Sequence, residues 1–186
     1  MIAIRSARPP DAAAIAAVHV AAWRSAYPGI LPPDFLARLS VPRQATFYDG
    51  AIRSSEGVHV ATVSGPDLGP DGGAERVVGF VTSGVASGTD RPADSEIGTL
   101  YVLDDWRDRG LGRRLMRAAA GHLAALGCRS TYLWVLRDNP SRWFYERLGG
   151  RTAMHSTVRV GGKDVPQTAY VWSSIEKLVQ AASSTP

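Results

Sequence analysis

EIGTLYVLDDWRDRGLGRRLMRAAAGHLAAL, residues 96–126, is the stretch whose reading decides the fold. Its first seven residues alternate as a strand does, and residues 112–126 carry the apolar period of a helix that stops at Gly127. Between them stands Arg107-Asp108-Arg109-Gly110-Leu111-Gly112. The first turn of a helix leaves backbone N–H groups without partners and places partial positive charge there, so a glycine turn feeding a helix is built for an anion. Two familiar phosphate loops are excluded by spacing. No Gly-Lys-Ser/Thr follows the glycines, and the third glycine of a dinucleotide fingerprint is replaced by Leu115.

Working outward, Ile2 to Ser6 alternates as a first strand, and Asp11 is placed to cap a helix running to about Ser25. Shorter helices are expected near Pro33-Asp34 and over residues 43–54. GVHVATVSG and RVVGFVTSG then read as two strands of a hairpin, joined by a Gly/Pro/Asp-rich loop at 65–75. After residue 126 come a strand at TYLWVL, a helix over 139–148, and two strands turned by Gly161-Gly162. Hairpins flanking one strand–helix–strand unit predict a mixed α+β fold, with a mostly antiparallel central sheet and helices on both faces. Residues 1–175 read as one domain, and 176–186 as a frayed tail.

The chain has 186 residues, is 45% apolar and carries a net charge of +4. That is enough to bury one core, and the mild charge suits an anionic small molecule better than nucleic acid. Its basic residues are arginines apart from Lys163 and Lys177. The only cysteine, Cys128, reads as a small buried apolar residue, so no internal disulfide forms, and a cytoplasmic location is expected. AAAIAAVHVAAW imitates a secretory segment, but Pro9-Pro10-Asp11 and His19 interrupt the pattern. No run reaches the ~20 apolar residues of a membrane span. No metal site is expected, and a homodimer stays open.

The spacing R-x-x-G-x-G after a strand resembles the coenzyme A loop of the GCN5-related N-acetyltransferase (GNAT) family. Arg107, Gly110 and Gly112 fill its three defining positions, and Val102 sits at the usual place on the strand before it. A second segment, NPSRWFYERLGG at 139–150, is similar to the family's Asn-x-x-x-x-Phe-Tyr-x-x-x-Gly-Phe. Asn139, Phe144, Tyr145 and Gly149 match, while Gly150 departs from the common aromatic.

The resemblance implies a GNAT-like fold and transfer of an acetyl group from acetyl-CoA to an amine. Backbone N–H groups over Arg109, Gly110, Leu111, Gly112 and Arg113 would cradle the pyrophosphate, and an N–H near Leu100 would meet the thioester oxygen. Arg107, Arg109, Arg113, Arg114 and Arg117 would add positive potential, although three or more of them equally suit a solvated helix face. Asn139 would hold the pantetheine or adenosine portion, or cap its helix, or both. Glu96 lies where histone-acetylating members carry a general base; read bare, it is equally a solvated carboxylate. Alternation puts it on the face of Leu100 and Val102 unless a bulge intervenes. Tyr145 matches the general acid, against the alternative of a core tyrosine beside Trp143 and Phe144.

His19, Trp23 and Tyr27 form one stripe of the first helix, with Trp23 and Tyr27 as candidate acceptor contacts; an aromatic stripe is also what a core looks like. Asp90, Asp94 and Glu96 suggest an acidic rim and a small primary amine such as an amino acid. The alternatives are a longer acyl group, a protein N-terminus or lysine as acceptor, and a non-catalytic acyl-CoA-binding module.

Overall fold

The computed structural model describes residues 1–54, 56–65, 75–89 and 91–183. Most of the 65–75 loop, Asp90 and residues 184–186 therefore lie outside the described residues. Seven strands, β1 Ile2–Ser6, β2 Gly57–Val63, β3 Arg76–Val85, β4 Ser95–Val102, β5 Thr131–Leu136, β6 Arg151–Val160 and β7 Lys163–Trp172, form one sheet in the order β1-β2-β3-β4-β5-β7-β6. Every neighbouring pair is antiparallel except β4 and β5. That exception follows from the helix between them, since a crossover returns the chain in the same direction.

One face of the sheet is covered by α1 (Ala12–Ala26) and α3 (Val41–Arg53), whose Ile15, Ala16 and Tyr48 bury against Val58, Val60 and Phe80. On the other face α4 (Leu111–Ala125) lays Leu115, Met116 and Leu123 over Ala61, Val81 and Ile97. Of two short helices, α2 (Pro33–Ala37) and α5 (Arg142–Arg147), only α5 borders the cleft described below. Gly161 and Gly162 turn β6 into β7 with φ of +58° and +82°, the left-handed pair a two-residue hairpin demands.

The expected tail is a correction. Residues Ile175–Ser183 form a sixth helix, α6, which buries Ile175, Leu178 and Ala182 in the same core as α4. The backbone N–H of Lys177 donates to Ser174 Oγ at the start of α6. Arg113 Nη1 donates to the Ala181 carbonyl at 3.1 Å, tying the far end of α6 to α4.

The second correction lies in β4. In the β3–β4 ladder Thr82 pairs with Thr99 and Ser83 with Ile97, so Gly98 is an extra residue, a bulge. A bulge shifts side-chain alternation by one. Ile97 consequently shares the α4 face with Leu100 and Val102, whereas Glu96 lies with Thr99 and Tyr101 on the α1 face.

Candidate functional site

A parallel pair of strands normally continues rung by rung, but β4 and β5 pair at only two positions, Ser95 with Thr131 and Glu96 with Tyr132. Beyond Glu96 the strands part, and a cleft of about 1140 Å³ occupies the wedge. Its walls are the freed stretch of β4 from Ile97 to Val102, the facing part of β5, the start of α4, and α5. The base of the wedge is clasped. The Asp94 carboxylate accepts from the backbone N–H groups of Arg129 (2.9 Å) and Ser130 (2.8 Å) and from the Ser130 hydroxyl, and Ser95 Oγ donates to the Ser130 carbonyl at 2.7 Å. These donors pull the Asp94 carboxyl down to about 2.

The glycine turn opens onto this cleft. Gly110 caps α4 with φ of +73°, and a Cβ added there would meet nothing within 4 Å, so open space faces the helix start where a ligand's phosphates would go. Gly112 has a different reason. Its Cβ would lie 3.1 Å from Phe144 Cζ, so the glycine lets α5 approach α4. Leu111 is 1% exposed and anchors the turn in the core.

The arginines are less available than their number suggests. Arg107 pairs with Asp104 at 2.8 Å, Arg109 stacks over the Trp106 ring at 4.7 Å, Arg113 holds α6, and Arg114 Nη2 donates to the Ile2 carbonyl at 3.2 Å. Arg107, Gly110, Leu111, Gly112 and Arg113 line the cleft, as do Leu100, Val102 and Asn139. Asn139 does not cap α5 directly. Its Oδ1 accepts from the Ser141 N–H at 2.9 Å, and its Nδ2 donates to the Tyr27 hydroxyl at 3.3 Å, joining β5's exit to α1.

Tyr145 projects from α5 into the cleft, its ring 5.2 Å from Phe144 and 6.2 Å from Tyr170. Burial first, and the neighbouring Tyr27 second, push its hydroxyl well above the ordinary range, so it stays protonated and able to donate. Tyr27 shares the cleft lining, but Trp23 is not part of it. Trp23 packs behind, stacked on His19 at 4.9 Å and edge-on to Tyr27 at 5.2 Å, with Phe35 and Tyr101 around it. The stripe thus packs behind the cleft at Trp23 and lines it at Tyr27. Sequence reading missed Tyr101, which lines the cleft beside Tyr27, and Tyr132, whose hydroxyl donates to Glu96 Oε2 at 2.9 Å. Their positions on strands gave no signal, because an inward tyrosine on a strand reads as core.

The residues of the expected acidic rim are only partly placed. Asp94 is consumed by the clasp, Asp90 lies outside the described residues, and Glu96 is bound to Tyr132. The departure at Gly150 has a steric reason: a Cβ there would meet Trp172 Cζ2 at 2.7 Å, so that indole holds the space next to residue 150. No group of three or more His, Cys, Asp or Glu side chains placed for a metal ion, and no helix long and apolar enough to cross a membrane, occurs among the described residues.

A family model described as FR47-like protein matches residues 77–160, the span from β3 to the end of β6. An uncharacterized N-acetyltransferase, YuaI of Bacillus subtilis (strain 168), is 28% identical, over 96% of this chain and 96% of its own. A probable N-acetyltransferase of Mycobacterium tuberculosis, Rv2775, is also 28% identical, over 91% of this chain and 92% of its own. Among solved structures, the acetyltransferase YncA of Salmonella typhimurium, determined with acetyl-CoA, superposes with a TM-score of 0.65 at 18% identity. The match covers 92% of this chain and 93% of that one, which shows a shared fold.

Proposed function

We propose that this chain is a GCN5-related N-acetyltransferase, a reading supported by the FR47-like match and the two N-acetyltransferase relatives, and that it transfers an acetyl group from acetyl-CoA to a small primary amine. The observation that carries the reading is the wedge between β4 and β5, opening beside a helix start whose Gly110 leaves its backbone uncovered. The residues present fit the co-substrate: the helix start offers its first-turn N–H groups and dipole to a pyrophosphate, and the freed edge of β4 offers backbone groups to an extended amide chain. Bound there, acetyl-CoA supplies a thioester carbonyl for direct attack by the amine.

The side chains divide the proton work. Tyr145, buried and neutral, gives the hydroxyl proton to the departing sulfur. Backbone N–H near Leu100 faces the oxygen that becomes negative. Glu96, on the α1 face at the closed end of the wedge and next to the cleft lining, takes the amine proton, directly or through water.

A small acceptor is favoured by closure on the far side. There α2 and the β6–β7 turn touch directly: a Cβ on Gly161 would lie 2.6 Å from Phe35 Cβ, and Lys163 Nζ donates to the Ile30 carbonyl at 2.9 Å. This contact narrows the room for a polypeptide across that end.

The test is thiol release from acetyl-CoA with glycine, spermidine, kanamycin and an alanine-terminated peptide. Release with one of the first three, slowed in Tyr145→Phe without loss of acetyl-CoA affinity, supports the reading. Acetylation of the peptide alone overturns the small acceptor, and acetyl-CoA binding without turnover of any amine leaves a binding module.

A further inference from the structure

Glu96 and Tyr132 form the last rung before β4 and β5 separate. Both side chains lie on the α1 face of the sheet, and the phenol hydroxyl donates to Glu96 Oε2 at 2.9 Å. Glu96 Oε1 accepts no hydrogen bond among the described residues. Tyr132 is itself held: its ring is buried among Ala86, Ala93, Trp134 and Val171. The clasp of Asp94, Ser95 and Ser130 fixes the two strands against each other one rung below.

We propose that Tyr132 is the positioning residue of the acetyl-transfer site: its hydroxyl pins one oxygen of Glu96, so that the other faces the acceptor amine. The proposal rests on the reading of Glu96 as proton acceptor given above. A glutamate at a strand mouth has several rotors, and left free it would spread over many rotamers in water. Fixing one oxygen on an immobile ring removes most of that freedom before the amine arrives, which is the form in which orientation speeds a proton transfer.

Tyr132 transfers no proton in this scheme. The amine nitrogen forms the bond to the acetyl carbon, the carbon–sulfur bond breaks, the amine proton goes to Glu96, and the sulfur takes its proton from Tyr145. Burial, followed by the Glu96 carboxylate, pushes the Tyr132 phenol up to about 12, so it remains an O–H donor at working pH. Arg91, on the loop before β4, is the other charge acting on this phenol and works in the opposite direction.

A double-mutant cycle separates positioning from packing. With acetyl-CoA and the amine giving the fastest thiol release in the panel above, Tyr132→Phe is expected to lower kcat by about tenfold to a hundredfold. The acetyl-CoA affinity should be unchanged. In a Glu96→Gln background the same substitution should change kcat by less than about twofold, because there is no longer a base to orient. A loss of similar size in both backgrounds overturns the proposal and makes Tyr132 a packing residue. If Glu96→Gln leaves kcat intact, the base assignment fails and the positioning role falls with it.

A second measurement needs no acceptor. In an alkaline titration followed by tyrosine absorbance, the step absent from Tyr132→Phe should move to lower pH in Glu96→Gln, since the carboxylate that favours the neutral phenol is gone. An unmoved step overturns the pairing.

Discussion

At the scale of single residues, environment decides what a titratable group does. His19 is 7% exposed, shares a hydrogen bond of 2.6 Å between Nδ1 and the Tyr48 hydroxyl, and stacks on Trp23. Burial lowers it from 6.5 to about 4, so it is neutral in the folded protein. Between those two values the unfolded chain binds more protons, and stability is lost as pH falls from 6.5 toward 4. The loss assigned to His19 is about 3 kcal/mol at most. His59, lowered by burial and then by His122, adds to the same slope. Urea midpoints at pH 7 and pH 4.5 should therefore separate less in His19→Gln than in the unsubstituted protein. Equal separations would show that His19 carries no part of the acid sensitivity. Asp94 acts in the same direction at lower pH: its folded value is depressed from 3.8 to about 2, so its contribution is present above the ordinary carboxylate value and is lost as pH falls from there toward 2.

At the scale of elements, two irregularities make the site. The Gly98 bulge turns Glu96 to the α1 face while keeping Leu100 and Val102 against α4. The α4 start contains two glycines with separate duties, and substitution distinguishes them. Gly110→Val should weaken acetyl-CoA binding by at least ~1.4 kcal/mol, or tenfold, through left-handed strain and a side chain in the open space facing the helix start. Gly112→Val should also lower the melting temperature, because the new side chain strikes Phe144. Paired calorimetric binding and melting curves check both. Unchanged affinity in a folded Gly110→Val protein would remove the glycine turn from the binding site.

At the scale of the whole molecule, α6 completes the core that supports α4, and through α4 the ligand-facing turn. Ile175 and Leu178 are 2% and 0% exposed. Removing residues 175–186 should cost on the order of 4 kcal/mol in lost apolar burial and lower Tm by about 10 °C. Loss of acetyl-CoA affinity should accompany it, since Arg113, which lines the cleft, also holds α6. Thermal melting of the truncated chain with and without acetyl-CoA measures both effects. A truncation with unaltered Tm would mean that α6 adds nothing to the core.

The sequence by itself determined the elements around Gly110 and the family they resemble. Strand alternation, helical period and the glycine spacing are properties of neighbouring residues and need no distant partner to be seen. It also carried the order of elements along the chain and the mixed, mostly antiparallel class, because hairpin turns and one crossover leave few ways to join the pieces; that β7 lies between β5 and β6 did not follow from it. Tertiary structure alone decided the rest. The apolar positions 175, 178, 179 and 182 were visible, but a helix of nine residues is marginal until α4 covers its apolar face. The direction of Glu96 depended on a one-residue slip between β3 and β4, which no pattern within β4 reveals. Asp94 became a clasp, Trp23 became packing and Tyr132 became a neighbour of Glu96 because β4, β5 and α1 are brought together across long stretches of chain. Spacing along the chain fixes which groups are available, and only packing fixes which of them face one another.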